Sequence, residues 1–196
     1  MRFRRAYYDL FSHVYDRVIA LHSGDASARL RDLLIERTGI KAGGRLLDLC
    51  TGTGAVAVRA QTRVEPGGLV VGVDFSAGMI RRACVKARQS GVADVTFVAG
   101  DAARLPFANA SFDAVSCSHA LYELSPEVRE RALQEVSRVL RPGGRFVMME
   151  HCEPSRALVR FLYRVRLSVL GSSDNRAFAR DEVPFLSRYF ADARRE

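Results

Sequence analysis

Three aspartates stand where apolar runs give way to turns, and these carboxylates are the first residues whose type and spacing suggest chemistry. Asp48 lies within Leu46-Leu47-Asp48-Leu49-Cys50, Asp74 closes Leu69-Val70-Val71-Gly72-Val73-Asp74, and Asp101 follows Val95–Gly100. A carboxylate at such a position accepts hydrogen bonds or faces a cation, and it repels an anion. The first run continues as Thr51-Gly52-Thr53-Gly54-Ala55-Val56-Ala57, which satisfies the pattern G-x-G-x-x-G/A. Glycines there let the chain turn tightly and approach a ligand closely, and the following helix offers its first amides. By itself the pattern is common to many nucleotide-like ligands.

The carboxylates narrow the choice. Asp74 stands 20 residues after Gly54, where it can accept from ribose hydroxyls. Both a nicotinamide dinucleotide and S-adenosylmethionine present that ribose. Asp48 discriminates, since a pyrophosphate beside it would be repelled whereas the ammonium of a methionine moiety would be attracted. Asp101 can accept from an adenine exocyclic amine. About 40 residues of helical pattern precede the first strand, whereas dinucleotide enzymes often begin with it. Together these features favour S-adenosylmethionine, with an NAD-dependent oxidoreductase as the competing reading.

Methyl transfer from such a cofactor needs an aligned nucleophile and a route for its proton. His119 and Tyr122 follow strand four, Glu150 and His151 end strand five, and Tyr8 and His13 sit on the first helical stretch. His119 and His151 are the candidate bases, against the alternative that no dedicated base is used. Cys117 lies in an apolar run and reads as a buried thiol rather than a nucleophile. Asp113 reads as a backbone anchor, and Glu123 and Glu150 as structural or rim residues.

The elements that must position these groups alternate. Residues 3–21 and a second segment ending at Gly39 carry apolar positions at helical spacing, with Leu30, Leu33 and Leu34 inward on the second. Strands are expected at about 45–50, 69–74, 95–99, 112–117 and 145–150. Helices are expected over about 54–64, from Ser76 to Ser90, and from Ser125-Pro126 to Pro142-Gly143-Gly144. Alternation with apolar strands specifies an α/β, Rossmann-like, doubly wound and mostly parallel sheet. A short helix over about 180–190 closes the chain, and nothing resembling two further strands remains.

Composition bounds the rest. With 196 residues and 48% of them apolar, the chain reads as one domain able to bury a core. Its net charge is +8, and of its 30 basic residues all but Lys41 and Lys86 are arginines. No basic block interleaved with aromatics points to nucleic acid. The four cysteines form no CxxC and no zinc spacing, so no metal is expected. Without a signal peptide or spanning segment in the sequence, the expectation is a cytoplasmic protein. Arg156, Arg160 and Arg164 form an i, i+4, i+8 stripe on a helical run rich in Leu, Val and Phe. That stripe reads either as a solvated face or as a peripheral contact with an anionic membrane or lipid substrate.

LLDLCTGTG, GVDFSAGMI, VAGDAARLPF, FDAV and RVLRPGGRFVMME occur in an order and spacing that resemble the class I S-adenosylmethionine-dependent methyltransferases, above all the ubiquinone/menaquinone-biosynthesis C-methyltransferase branch. The resemblance is strong over about 44–150. It implies that Asp48 contacts the methionine amino group, directly or through water, and that Gly52 and Gly54, in the loop that Cys50 opens, let the backbone pass the cofactor. It implies that Asp74 binds the ribose hydroxyls, that Phe75 and Met79 pack on the adenine, and that Asp101 binds the adenine amine with the Ala102 amide. Ser118 would lie beside the methionine moiety, and Tyr15-Asp16 resembles the YD pair of a helix that closes over the cofactor. Many relatives have glycine at the place of Cys50, and quinone enzymes often have aspartate at that of Ala55. The family's usual sixth and seventh strands are missing after Asp192, so either the sequence is truncated or the sheet is completed another way. The implied organisation is a helical cap over 1–43, a cofactor-binding core over 44–151 and a helical substrate region over 152–196. The implied acceptor is a small, apolar or quinone-type molecule, with O- or N-methylation of another metabolite as the alternative and a non-catalytic nucleotide-binding module behind it. An exposed edge strand would favour a homodimer.

Overall fold

The computed structural model describes residues 29–92, 94–150 and 182–195. Its centre is β1 (Arg45–Leu49), whose last four residues are all buried. A strand flanked on both sides and covered on both faces must be apolar almost throughout. β2 (Leu69–Asp74) and β4 (Phe112–Ser118) pair with it in parallel, β3 (Val95–Ala99) continues beyond β2, and β5 (Leu140–Met149) beyond β4. The order is β3-β2-β1-β4-β5, so the winding reverses between β1 and β4. Such a switch point leaves a crevice at the carboxyl ends of the strands.

Side chains alternate across the sheet and build two cores. Leu47, Leu49, Val71, Val73, Val115 and Cys117 pack with α4 (Pro126–Val139) on one face. Leu46, Val70 and Ala114 pack with α1 (Arg29–Thr38) and α2 (Ala55–Val64) on the other. α3 (Ala77–Gln89) links β2 to β3, and the Ser76 hydroxyl caps it by accepting from the Met79 amide at 3.1 Å. Ser125 caps α4 in the same way, with Pro126 in its first turn. The Arg45 amide donates to Asp113 Oδ2 at 2.8 Å, and the Arg141 guanidinium donates to Oδ1 at 2.6 Å, so Asp113 anchors the backbone as its sequence setting suggests.

Two expectations need correction. On α1 the buried residues are Leu34, Ile35 and Thr38, while Leu30 and Leu33 are 41% and 44% exposed. The helix therefore presents a face rotated from the one its leucines suggest. α4 ends at Val139 rather than at the Pro-Gly-Gly turn, because Leu140 is already extended and pairs with Phe112. Arg141–Gly144 is then an irregularity inside a longer β5, with Gly143 at φ 78°. The C-terminal helix α5 spans only Val183–Leu186. Leu186 joins the larger core, and the Phe190 ring lies 5.3 Å from that of Phe146. Among the described residues the sheet has five strands, with β3 and β5 at its edges.

Candidate functional site

The turn after β1 is built from left-handed residues: Cys50 at φ 54°, Gly52 at 55° and Gly54 at 76°. It is held down by the Thr51 amide, which donates to Val73 O at 2.9 Å, and closed by the Gly54 amide, which donates to Thr51 O at 2.9 Å. A Cβ on Gly54 would lie 2.8 Å from the Phe97 ring and 2.9 Å from Ala83, so only glycine lets the loop settle onto β3 and α3. Lys86 of α3 donates to the Thr53 hydroxyl at 2.9 Å and pins the loop from the side.

Each of the three aspartates does something different. Asp48 is 1% exposed and takes hydrogen bonds from the Ser116 hydroxyl on Oδ1, at 2.8 Å, and from the Thr51 hydroxyl on Oδ2, at 2.5 Å. It stands one layer below the loop surface and joins loop to β4. Burial pushes its carboxyl up to about 6, against the opposing pull of the Thr51 and Ser116 hydroxyls. Asp74 is 6% exposed; Oδ2 accepts from the Gly52 amide and Oδ1 from the Ser76 amide, both at 2.9 Å. These bonds aim the carboxylate between the two loops. Asp101 is exposed and accepts from the Ala103 amide at 2.9 Å.

The apolar positions fall around them. Phe75 is 37% exposed beside Asp74, whereas Met79 and Ala102 are buried at 2% and 8%. Ser118 ends β4 half-buried. His119 follows at φ 54°, and its amide donates to Met149 O at 2.7 Å, which fixes it over the β4–β5 pair. A non-glycine residue in the left-handed region at a strand end is a strained placement of a kind common at functional sites. Tyr122 and Glu123 belong to a short 3-10 helix (Leu121–Glu123), and the Tyr122 hydroxyl donates to Glu123 Oε1 at 2.9 Å. Tyr8, His13, Tyr15, His151 and the Arg156/Arg160/Arg164 stripe lie outside the described residues.

Cys117 is fully buried, and the neighbouring Cys50 thiol and burial push its own thiol well above the usual range, so it is no nucleophile. No group of His, Cys, Asp and Glu able to hold a metal occurs among the described residues.

Thr51 and Ser116 were missed by motif reading, although they fix Asp48. Ser116 pairs in register with Asp48 across β1 and β4, and a hydroxyl in the middle of an apolar strand was the available signal.

S-adenosylmethionine fits what is present. Asp74 offers acceptors to a diol, with exposed Phe75 alongside for an adenine face. Asp101 offers a carboxylate at the next strand end, and the Asp48–Thr51–Ser116 group places negative charge beneath the loop. A pyrophosphate would meet the same charge unfavourably.

Comparison with known proteins agrees. Residues 5–190 match the model of the ubiE/COQ5 methyltransferase family. The chain is 38% identical over 159 residues to the demethylmenaquinone methyltransferase of Thermus thermophilus, covering 80% of this chain and 70% of that protein. It is 34% identical over 150 residues to the ubiquinone/menaquinone biosynthesis C-methyltransferase UbiE of Pseudomonas paraeruginosa, covering 76% of this chain and 58% of that one. Among solved structures, the YcgJ protein of Bacillus subtilis superposes with a TM-score of 0.60 at 33% identity, covering 69% of this chain and 58% of YcgJ. The [4+2]-cyclase SpnF gives the same TM-score at 30% identity, covering 73% and 57% of the two chains. The family match over residues 5–190, on a parallel sheet of this order, shows that the chain belongs to the ubiE/COQ5 methyltransferase family, enzymes that transfer a methyl group from S-adenosylmethionine.

Proposed function

We propose that this chain methylates a ring carbon of a reduced quinone-type acceptor. The observation that carries the reading is the division of the sheet edge. The ends of β1, β2 and β3 hold Asp48, Asp74 and Asp101, with Ser118 of β4 beside the methionine moiety, which leaves His119, Tyr122 and Glu150 at the ends of β4 and β5 for the acceptor. The names of the relatives supply the acceptor class, since they are demethylmenaquinone and ubiquinone/menaquinone methyltransferases.

S-adenosylmethionine supplies an electrophilic methyl on a sulfonium, so the chain's own task is alignment and proton handling. Asp74 orients the ribose. Asp48 acts through the Thr51 and Ser116 hydroxyls, which carry its charge toward the amino group. His119 is held at the β4 terminus, where an imidazole can serve the acceptor side. Residues 1–43 and 152–196 are assigned to a cap and a substrate region around the core at 44–151, with Tyr15 for the cofactor and His151 as the second candidate base. No helix among the described residues is long and apolar enough to cross a membrane. Access to a lipid-like acceptor is assigned to peripheral contact through the Arg156/Arg160/Arg164 stripe, and the place of β5 at the sheet edge among the described residues favours a homodimer.

Thermal shift with S-adenosylhomocysteine and with NADH tests the cofactor. Stabilisation by S-adenosylhomocysteine alone is expected, and stabilisation by NADH alone overturns the reading. His119→Ala is expected to keep S-adenosylhomocysteine affinity and slow turnover; unchanged turnover removes His119 from the chemistry.

A further inference from the structure

One half-buried acid at the acceptor end of the sheet has no place in the mechanism so far. Glu150 directly follows β5, and its Oε1 accepts from the Leu121 amide at 2.9 Å. Through this bond the side chain ties the end of β5 to the start of the 3-10 helix. Oε2 is buried and has no hydrogen-bond partner. A buried carboxyl oxygen left without a partner carries a desolvation cost that the fold does not recover internally. Tyr122 cannot relieve it, because its hydroxyl is already committed to Glu123.

The titratable groups around it are Glu123 on the 3-10 helix, Arg129 on α4 and the neutral Cys117 thiol on β4. Burial, with the Glu123 carboxylate adding to it, holds the Glu150 acid up to about 8, although the Leu121 amide pulls the other way. Arg129 is itself lowered to about 10 by burial and is occupied by the carbonyls of Leu121 and Leu124, at 3.1 and 3.0 Å. An acid poised in this range is matched to exchanging a proton with a phenolic hydroxyl.

Resting on the quinol reading above, we propose that Glu150 is a catalytic residue: Oε1 accepts from the Leu121 amide and Oε2 takes the proton of the acceptor's ring hydroxyl. As the ring carbon attacks, the carbon–methyl bond forms and the sulfur–methyl bond breaks, its electron pair going to sulfur. The hydroxyl O–H pair becomes the second bond of a carbonyl while its proton moves to Oε2. The ring carbon then loses its hydrogen to solvent as a proton, and Oε2 returns its proton to the carbonyl oxygen. The aromatic hydroquinone is restored, and one proton is released overall. Because Oε2 is enclosed, the acceptor reaches it only when the groups around it shift, which couples acceptor binding to exposure of the base.

Glu150→Gln keeps an oxygen for the Leu121 amide but cannot take a proton. With 1,4-naphthohydroquinone as acceptor, kcat is expected to fall about 10²–10⁴-fold and to lose its rise with pH near 8, while S-adenosylhomocysteine affinity stays unchanged. Glu150→Ala, which also releases the loop, is expected to raise KM as well. A readout free of turnover uses the wild-type chain alone, as the infrared difference spectrum at neutral pH on adding the hydroquinone in the presence of S-adenosylhomocysteine. A protonated carboxyl band that shifts on binding supports the assignment; no carboxyl response overturns it. Wild-type turnover with Glu150→Gln matching it in rate and pH profile sinks the role of Glu150 alone. Absence of wild-type turnover at every pH sinks the quinol reading, and this proposal with it.

Discussion

Asp48 illustrates how a single carboxylate can serve a cofactor without meeting it. Burial drives its acid up to about 6, and two hydroxyls hold the anion in place. The ammonium of S-adenosylhomocysteine favours that anion, so affinity is expected to rise with pH through about 6 and then level off. Asp48→Asn is expected to remove this step and weaken binding about 10- to 100-fold above it, the scale of a hydrogen bond to a charged group. Calorimetric titration at several pH values reads both; a flat wild-type profile would contradict the assignment. Folding gives the same residue a second signature. Asp48 and Glu150 both have folded-state values above their ordinary ones, about 6 against 3.8 and about 8 against 4.5. The native state therefore binds more protons, and what these two contribute is present at acid pH and lost as pH rises through those values. The wild-type urea midpoint is expected to fall between about pH 5 and 8 more steeply than that of Glu150→Gln, in which the side chain stays neutral.

At the level of elements, the turn from β1 into α2 is the most constrained part of the chain. Gly54→Ala combines a left-handed backbone with contacts of 2.8–2.9 Å to Phe97 and Ala83. It is expected to cost about 1–3 kcal/mol, lowering the melting temperature by several degrees, and to abolish S-adenosylhomocysteine binding. Calorimetric melting with and without ligand checks it, and a variant that binds normally would show the turn to be looser than described. This turn was legible in the sequence because glycine spacing and a flanking apolar strand act locally, as were β2, β3, and the Ser76 and Ser125 caps. The face of α1 was not. Leu30 and Leu33 are local signals, while the choice of Leu34 and Ile35 comes from packing against α2 and the sheet. The run from α4 into β5 was misread for a similar reason. Pro142-Gly143-Gly144 looks like a helix stop, but pairing of Leu140 with Phe112 carries the strand past it. The partners of Asp48 depended on register between β1 and β4, which no single stretch of sequence contains. The acceptor side was least legible, since what distinguishes Glu150 is the burial of its Oε2 and a bond from the Leu121 amide of another strand's loop.

Across the whole molecule, the reversal of winding between β1 and β4 gives one sheet edge two tasks. The proposed reading puts the cofactor over the earlier strands and the acceptor over β4 and β5. The likeness to the [4+2]-cyclase SpnF shows that this architecture also stands behind a different reaction, so the fold alone does not choose the chemistry. Residues at the acceptor end must choose it. If the arginine stripe docks the molecule on membranes, the full chain is expected to sediment with anionic liposomes at low salt and to release at high salt. Failure to bind at low salt would remove that contact. The central claim is tested most directly by incubating the full chain with methyl-labelled S-adenosylmethionine and a demethylmenaquinol, then locating the label by mass spectrometry and NMR. The account predicts a labelled methyl on the ring carbon of the quinol. Unconsumed S-adenosylmethionine, or label on oxygen or nitrogen with none on carbon, would contradict it.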